Sequence, residues 1–388
     1  MMNMEVKLGL DVFMEHYVAD VKGKRVGLLT NQTGANRELV STIRLFHEHA
    51  DINLTALFAP EHGLKTNAKE GEKFSDFVHS STGVTVYSLY GKSKKPTDAM
   101  MAEVDVIVFD MQDIGARYYT YIYTMAYMME ACARTRKKMF VLDRPNPIGG
   151  VEVEGNFIDS DYASFVGLYP IPNRHGMTVG ELASYFNEEF SIHCDLVVVE
   201  MDGWKRECFF TDINLPWIPP SPNTTGLDMM LLYPGTCLIE GTNLSEGRGT
   251  TQPFEIVGAP FIDGEQLQDE VNALGMSGVR ARALSFTPTY QKFTGELCEG
   301  IQLHISDRHT FKPLHAFVHV LAVIARLYPK ELKFLEYGSL KHPMFDLLAG
   351  NSNLRLALKN GNVESYLQQC QRDTEAFLMK RQSYLRYR

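Results

Sequence analysis

VDVIVFD, residues 104–110, decides the fold of this 388-residue chain. An unbroken apolar, β-branched run is the pattern of a strand buried on both faces, and such strands belong to parallel sheets. Working outward, RVGLLT (25–30), INLTALF (52–58), VTVYSLY (84–90), KMFVLD (138–143) and CDLVVVE (194–200) repeat the pattern. Helical spacing lies between them. Residues 37–49 place Leu39, Ile43 and Phe46 on one face, residues 119–134 are apolar on most sides, and residues 178–189 open with Thr178 and Glu181 at capping-box spacing. The alternation predicts an α/β fold, a parallel sheet with helices on both faces. Its ligand crevice is expected outside the carboxyl ends of the strands.

Past residue 205 the texture changes. A proline-rich loop, LPWIPPSPNTTG (215–226), leads to a Gly- and Thr-rich one, IEGTNLSEGRGTTQPF (239–254). Strand-like VRARALSFTPTY (279–290) and CEGIQLHISD (298–307) follow, then helical patterns at 313–328 and in the tail. The length accommodates two domains, so we expect a sheet domain over residues 1–205 and a smaller α+β domain over 206–388. Hydrophobic residues make up 45% of the chain, charged residues 22%, and the net charge is −9. That balance suits a globular protein and disfavours nucleic acid or an anionic membrane as the main partner. No apolar run approaches the ~18 residues needed to span a bilayer. The cysteines, in no CxxC pair and with apolar flanks, read as small buried hydrophobes.

Three loops follow strands directly and carry polar groups to one expected rim. In FAPEHGLKT (58–66), Pro60 stiffens the corner and Gly63 allows a sharp turn, presenting Glu61 as a general-acid candidate with His62 as its hydrogen-bonding neighbour. FDMQDIGARYYTY (109–121) offers Asp110, Asp113, Arg117 and the tyrosines 118, 119 and 121. LDRPNPIGG (142–150) offers Asp143, Arg144 and Asn146, with an internal Asp143–Arg144 pair as the alternative. Arg174 and His175 precede the capped helix, where an anion site or simple capping would fit equally. In SEGRGTT (245–251) Glu246 flanks Arg248 in a glycine-rich loop that is no Walker motif, and neither GxGxxG nor GxSxG occurs where a nucleotide or serine-hydrolase site would need it. Asp110 and Asp113 are few for a hard cation, which usually gathers more carboxylates. A metal-dependent hydrolase using them with His62 is one competing reading, and the expectation is chemistry without cofactor or metal.

The set GLDVF, GLLTNQTG, FAPEHGL, FDMQDIGARYYTYIYTM, VLDRPNPIGG, NRHGMT, PSPN and EGTNLSEGRGTTQPF closely resembles the exo-β-N-acetylmuramidase family (NamZ), long catalogued as a bacterial domain of unknown function. The resemblance runs from about residue 9 to the end. It implies a Rossmann-like domain plus a smaller α/β domain, with the active site in the cleft between them. It also implies removal of N-acetylmuramic acid (MurNAc) from the non-reducing end of peptidoglycan fragments such as MurNAc-GlcNAc. On the matching motifs the catalytic candidates are Glu61 as acid, with Asp110, Asp113 or Asp143 as a second carboxylate, Tyr118 as a tyrosine nucleophile, or the substrate's own acetamido group. Substrate-binding candidates are Asn31, His62, Arg117, Asp143, Arg144, Asn146, Arg174, His175, Glu246 and Arg248. The lactyl carboxylate of MurNAc calls for a fixed cation, and Arg248, Arg174 and Arg144 are the choices. A non-catalytic muropeptide-binding protein using the same cleft is the alternative. MMNMEVKLGLDVF at the start has no basic, long apolar or cleavage-site pattern of a signal peptide, so the chain as written is expected inside the cell, whereas members of the resembled family often carry a leader.

Overall fold

A computed structural model of the protein describes residues 5–67, 71–91 and 93–388. The first half builds a seven-stranded sheet from β1 (Arg25–Thr30), β2 (Asn53–Ala59), β3 (Phe77–Val78), β4 (Thr85–Ser88), β5 (Val106–Asp110), β6 (Lys138–Leu142) and β7 (Asp195–Val199), in the order β3-β4-β2-β1-β5-β6-β7. All neighbours pair in parallel except β3, which runs antiparallel along the edge of β4. Without β3 the order is that of a dinucleotide-binding sheet, its chain reversing direction between β1 and β5. In the centre of the sheet Leu28 pairs with Leu57 on one side and Val108 on the other, and all three are buried.

Two elements depart from the periodicity for local reasons. The helix expected from residue 37 begins at Thr42 and runs Thr42–Glu48, with the Ser41 hydroxyl accepting the Arg44 N–H at 3.2 Å. Ahead of it the Asn36 side chain accepts the Val40 N–H at 2.8 Å and Leu39 takes a φ of 62°, so a side-chain-closed turn replaces the first helical turn. The strand read as VTVYSLY shortens to β4 because the chain turns off at Leu89 towards the loop. The capping box at Thr178 forms as spaced, and the helix runs Val179–Glu189. Helix Tyr121–Thr135 is buried over most of its length, as its all-round apolar composition requires.

The second half carries a three-stranded antiparallel sheet, β8 (Ile256–Ala259), β9 (Val279–Phe286) and β10 (Cys298–Ile305), in the order β8-β10-β9. Helices Leu227–Thr236 and Pro313–Leu327 pack together so closely that a Cβ on Gly235 would lie 2.3 Å from the Pro313 carbonyl oxygen. One continuous buried cluster includes Phe58 and Phe109 of the first sheet, Val257 and Ile301 of the second, and Phe377 of helix Glu364–Arg381. The two sheets therefore share a core. The chain end returns to the first sheet, where the Tyr387 hydroxyl donates to Asp143 at 2.6 Å. All six cysteines are buried and unbridged, and no described helix is long and apolar enough to cross a membrane.

Candidate active site

Glu61 follows β2 by two residues. His62 and Gly63, at φ 68° and 75°, turn the chain sharply behind it. Its carboxyl group accepts the Thr120 hydroxyl at 2.8 Å on one oxygen and the Gly71 N–H at 3.3 Å on the other. Thr120 is the N-cap residue of helix Tyr121–Thr135, yet its hydroxyl makes no cap hydrogen bond. An N-cap hydroxyl ordinarily accepts from a first-turn N–H, a contact worth about 1 kcal/mol. Here it is turned outward to orient a carboxylate, a break of the local rule of the kind that marks functional sites.

Glu61 is buried at the edge of a cleft lined by residues of both halves of the chain. His62 and residues 118–121 line one side of it, and Ser221 and Asn223 of the proline-rich loop border it. Tyr233, Cys237, Glu240, Arg248 and Phe254 of the second half close the other side. Tyr119 meets Tyr121 and Tyr233 edge-on, with ring centres 4.9 and 6.4 Å apart, giving an aromatic wall. Near Glu61, burial and then the Glu61 charge push the Tyr90 hydroxyl well above its ordinary pKa. The Lys94 ammonium sits 3.7 Å from the centre of the Phe165 ring, and burial lowers its pKa against the opposing pull of Glu61.

Arg248 is presented by two glycines, Gly247 and Gly249, at φ 78° and 80°. A Cβ on Gly249 would come within 2.6 Å of the Tyr290 nitrogen, so the glycine-rich composition is a packing requirement as well as a turn requirement. The guanidinium donates to Glu246 at 2.9 Å and to Glu240 at 3.3 Å, and lies 4.8 Å from the Phe254 ring centre. Glu246 is paired again by Lys292 at 3.0 Å, whose ammonium also donates to the Ile239 and Leu244 carbonyls. Burial pushes the Glu246 carboxyl up, but Lys292 and Arg248 together reverse that and hold it below its ordinary value.

Among the remaining candidates Tyr118 alone lines this cleft. Arg144 pairs bidentately with Asp110, at 2.6 and 2.9 Å, and not with Asp143; the Thr42 hydroxyl completes the cluster. Asp143 accepts from the Arg144 and Gly180 N–H groups and from the Thr178 and Tyr387 hydroxyls. Burial nevertheless raises its carboxyl to about 6. Asp113 accepts the Gly115 N–H at 2.7 Å and faces His175 Nε2 at 3.4 Å; His175 Nδ1 accepts the Met177 N–H, which leaves the ring proton on the Asp113 side. Arg117 donates to the Asn156, Ile171 and Leu348 carbonyls. Asn146 bridges Met177 and Ile148, Arg174 donates to Ile148, and Asn31 closes a turn on Thr33. Tyr118 lines the cleft, but its hydroxyl donates to Pro234 and accepts from Asn173, and burial drives its pKa upward.

The expectation of three loops on one rim is thus corrected. The loops after β2 and β5 reach the cleft, whereas the loop after β6 is covered by the chain end. Polar residues that escaped the sequence reading include Thr120 and Glu240 in the cleft and the cation Lys292, which pairs with Glu246. Glu240 had a signal, since it opens the EGTN motif, but no spacing distinguishes it from a surface carboxylate. Among the described residues no three His, Cys, Asp or Glu side chains converge as a metal site.

Comparison with known proteins adds to this geometry. Family models for the amino- and carboxy-terminal domains of exo-β-N-acetylmuramidase NamZ match residues 26–228 and 231–387. The peptidoglycan β-N-acetylmuramidase NamZ of Bacillus subtilis (strain 168) is 49% identical over 384 residues, covering 99% of this chain and 92% of that protein. A crystal structure of a DUF1343 family protein from Bacteroides fragilis superposes with a TM-score of 0.90 at 37% identity over 100% of both chains. A second from the same species gives 0.78 at 32% identity over 99% of both. With the likeness extending through both halves of the sequence and both sheets, the chain belongs to the exo-β-N-acetylmuramidase NamZ family.

Proposed function

We propose that this chain hydrolyses the glycosidic bond of N-acetylmuramic acid at the non-reducing end of peptidoglycan fragments such as MurNAc-GlcNAc. Membership of a muramidase family supports the reaction class. The observation that carries the assignment of parts is a single cleft holding the buried, Thr120-oriented carboxyl of Glu61 and the guanidinium of Arg248. Glu61 is the general acid: its proton passes to the glycosidic oxygen as the bond to the anomeric carbon breaks. The aromatic wall takes the apolar face of the sugar. Arg248, held between Glu240 and Glu246, presents a fixed fork to the lactyl carboxylate, the group that distinguishes MurNAc from GlcNAc. His62 lies beside Glu61 as a substrate hydrogen-bonding group. A division of the chain near residue 205 is supported by the end of β7 at Val199 and the start of the next α-helix at Leu227.

The test is turnover of a MurNAc glycoside with a chromogenic leaving group, with and without chelator. Wild type is expected to cleave it equally in both and to leave the GlcNAc glycoside largely intact. Tight binding of the sugar with no product released over hours would instead support a muropeptide-binding protein. Loss of activity in chelator would support the metal-dependent reading.

A further inference from the structure

Among the described residues lining the cleft there are two carboxylates, Glu61 and Glu240, and their surroundings differ in kind. The donors to Glu61 are neutral, a threonine hydroxyl and a backbone amide. Glu240 faces the Arg248 guanidinium at 3.3 Å and the Cys237 thiol at 3.6 Å. Glu240 forms an ion pair with Arg248, whereas the hydroxyl and amide on Glu61 carry no charge. Two carboxylates in one cleft with different partners can take different parts in one reaction. Glu240 is also held in place by the backbone. It lies in the short helical turn Cys237–Gly241, and a Cβ on Gly241 would lie 2.3 Å from the Phe345 Cα, so this turn sits flush against helix Met344–Ala349. Its side chain keeps 21% of its surface exposed towards the cleft, against 3% for Glu246, which is closed off between Arg248 and Lys292.

We propose that Glu240 is the second carboxylate of the reaction, an ionised group that stabilises the positive charge developing on the sugar ring as the glycosidic bond breaks. This rests on the glycosidase reading above. The role is electrostatic, with no bond formed to Glu240: the proton for the leaving oxygen comes from Glu61, the charge that grows on the anomeric carbon and ring oxygen meets the Glu240 anion, and water then adds to the anomeric carbon, its released proton restoring the Glu61 carboxyl group. It replaces Asp110, Asp113 and Asp143, none of which lines the cleft.

A series of MurNAc glycosides with leaving groups from good to poor tests it. Glu240→Gln is expected to lose about a hundredfold in kcat with every leaving group alike, with KM changed less than about threefold. Glu61→Gln is expected to lose most on poor leaving groups and least on the best, since only a poor one needs the proton. Glu240→Asp keeps the charge and should recover part of kcat, a rescue that a packing role would not give. An unchanged kcat in Glu240→Gln with a raised KM, or with reduced preference for MurNAc over GlcNAc, would overturn the proposal and leave Glu240 as a support for Arg248. A wild type that cleaves no member of the series overturns the parent reading and this one with it.

Discussion

Glu61 and Asp143 both stand just beyond the carboxyl end of a buried parallel strand, and in sequence they look alike. Glu61 meets a hydroxyl and an amide and opens on a cleft. Asp143 is fully buried and takes four donors, including a tyrosine from the last two residues of the chain. The difference separates a carboxylate open to a ligand from one closed off by the fold. A saturated carboxylate has no lone pair for substrate, and removing it leaves buried donors unpaired, which costs about 1–3 kcal/mol each.

Four variants break or sharpen that contrast. Glu61→Gln keeps an oxygen for Thr120 to donate to, so its melting temperature should hold while kcat falls at least about 100-fold. Asp143→Asn should act on stability instead. Because burial raises the folded-state carboxyl to about 6 from an ordinary 3.8, the folded protein holds that proton more tightly than the unfolded chain. The associated stability is complete below the unfolded value and is lost as pH rises through about 6. Wild type should therefore lose about 2–3 kcal/mol relative to Asp143→Asn between pH 4 and pH 7, read as a difference in slope of denaturation free energy against pH. Arg248→Ala should reduce discrimination between MurNAc and GlcNAc glycosides about 10–100-fold, the size of a charge-assisted contact. Thr120→Val should lower kcat about tenfold by freeing the Glu61 carboxyl to rotate, with Thr120→Ser restoring it.

Much of the first half was legible because its strands are continuous apolar runs and its turns carry their own chemistry. The capping box at Thr178 and the Pro60–Glu61–His62–Gly63 corner are local, and local signals survive in sequence. The fate of the β6 loop was not legible. Asp143 and Arg144 read as rim residues until the chain end, Tyr387, lands on Asp143 from 244 positions away, and Arg144 turns back to Asp110 across 34. The two-residue strand β3 has too little pattern to be seen at all. Glu240 was missed for a related reason: its place on the cleft wall comes from the meeting of the two halves of the chain, and nothing in IEGTN records that meeting. Arg248, which lines the cleft, stood out in sequence because glycines on both sides of one arginine require an explanation by themselves.

The most direct test sets the two carboxylates against each other in one experiment: kcat on the MurNAc-GlcNAc disaccharide, whose sugar leaving group needs the proton, and melting temperature, measured for Glu61→Gln and Asp143→Asn side by side. The account predicts that Glu61→Gln loses at least about two orders of magnitude in kcat at an unchanged melting temperature, while Asp143→Asn changes stability and keeps kcat per folded molecule. A Glu61→Gln enzyme that turns over like wild type, or an Asp143→Asn enzyme that folds normally and is inactive, would contradict it.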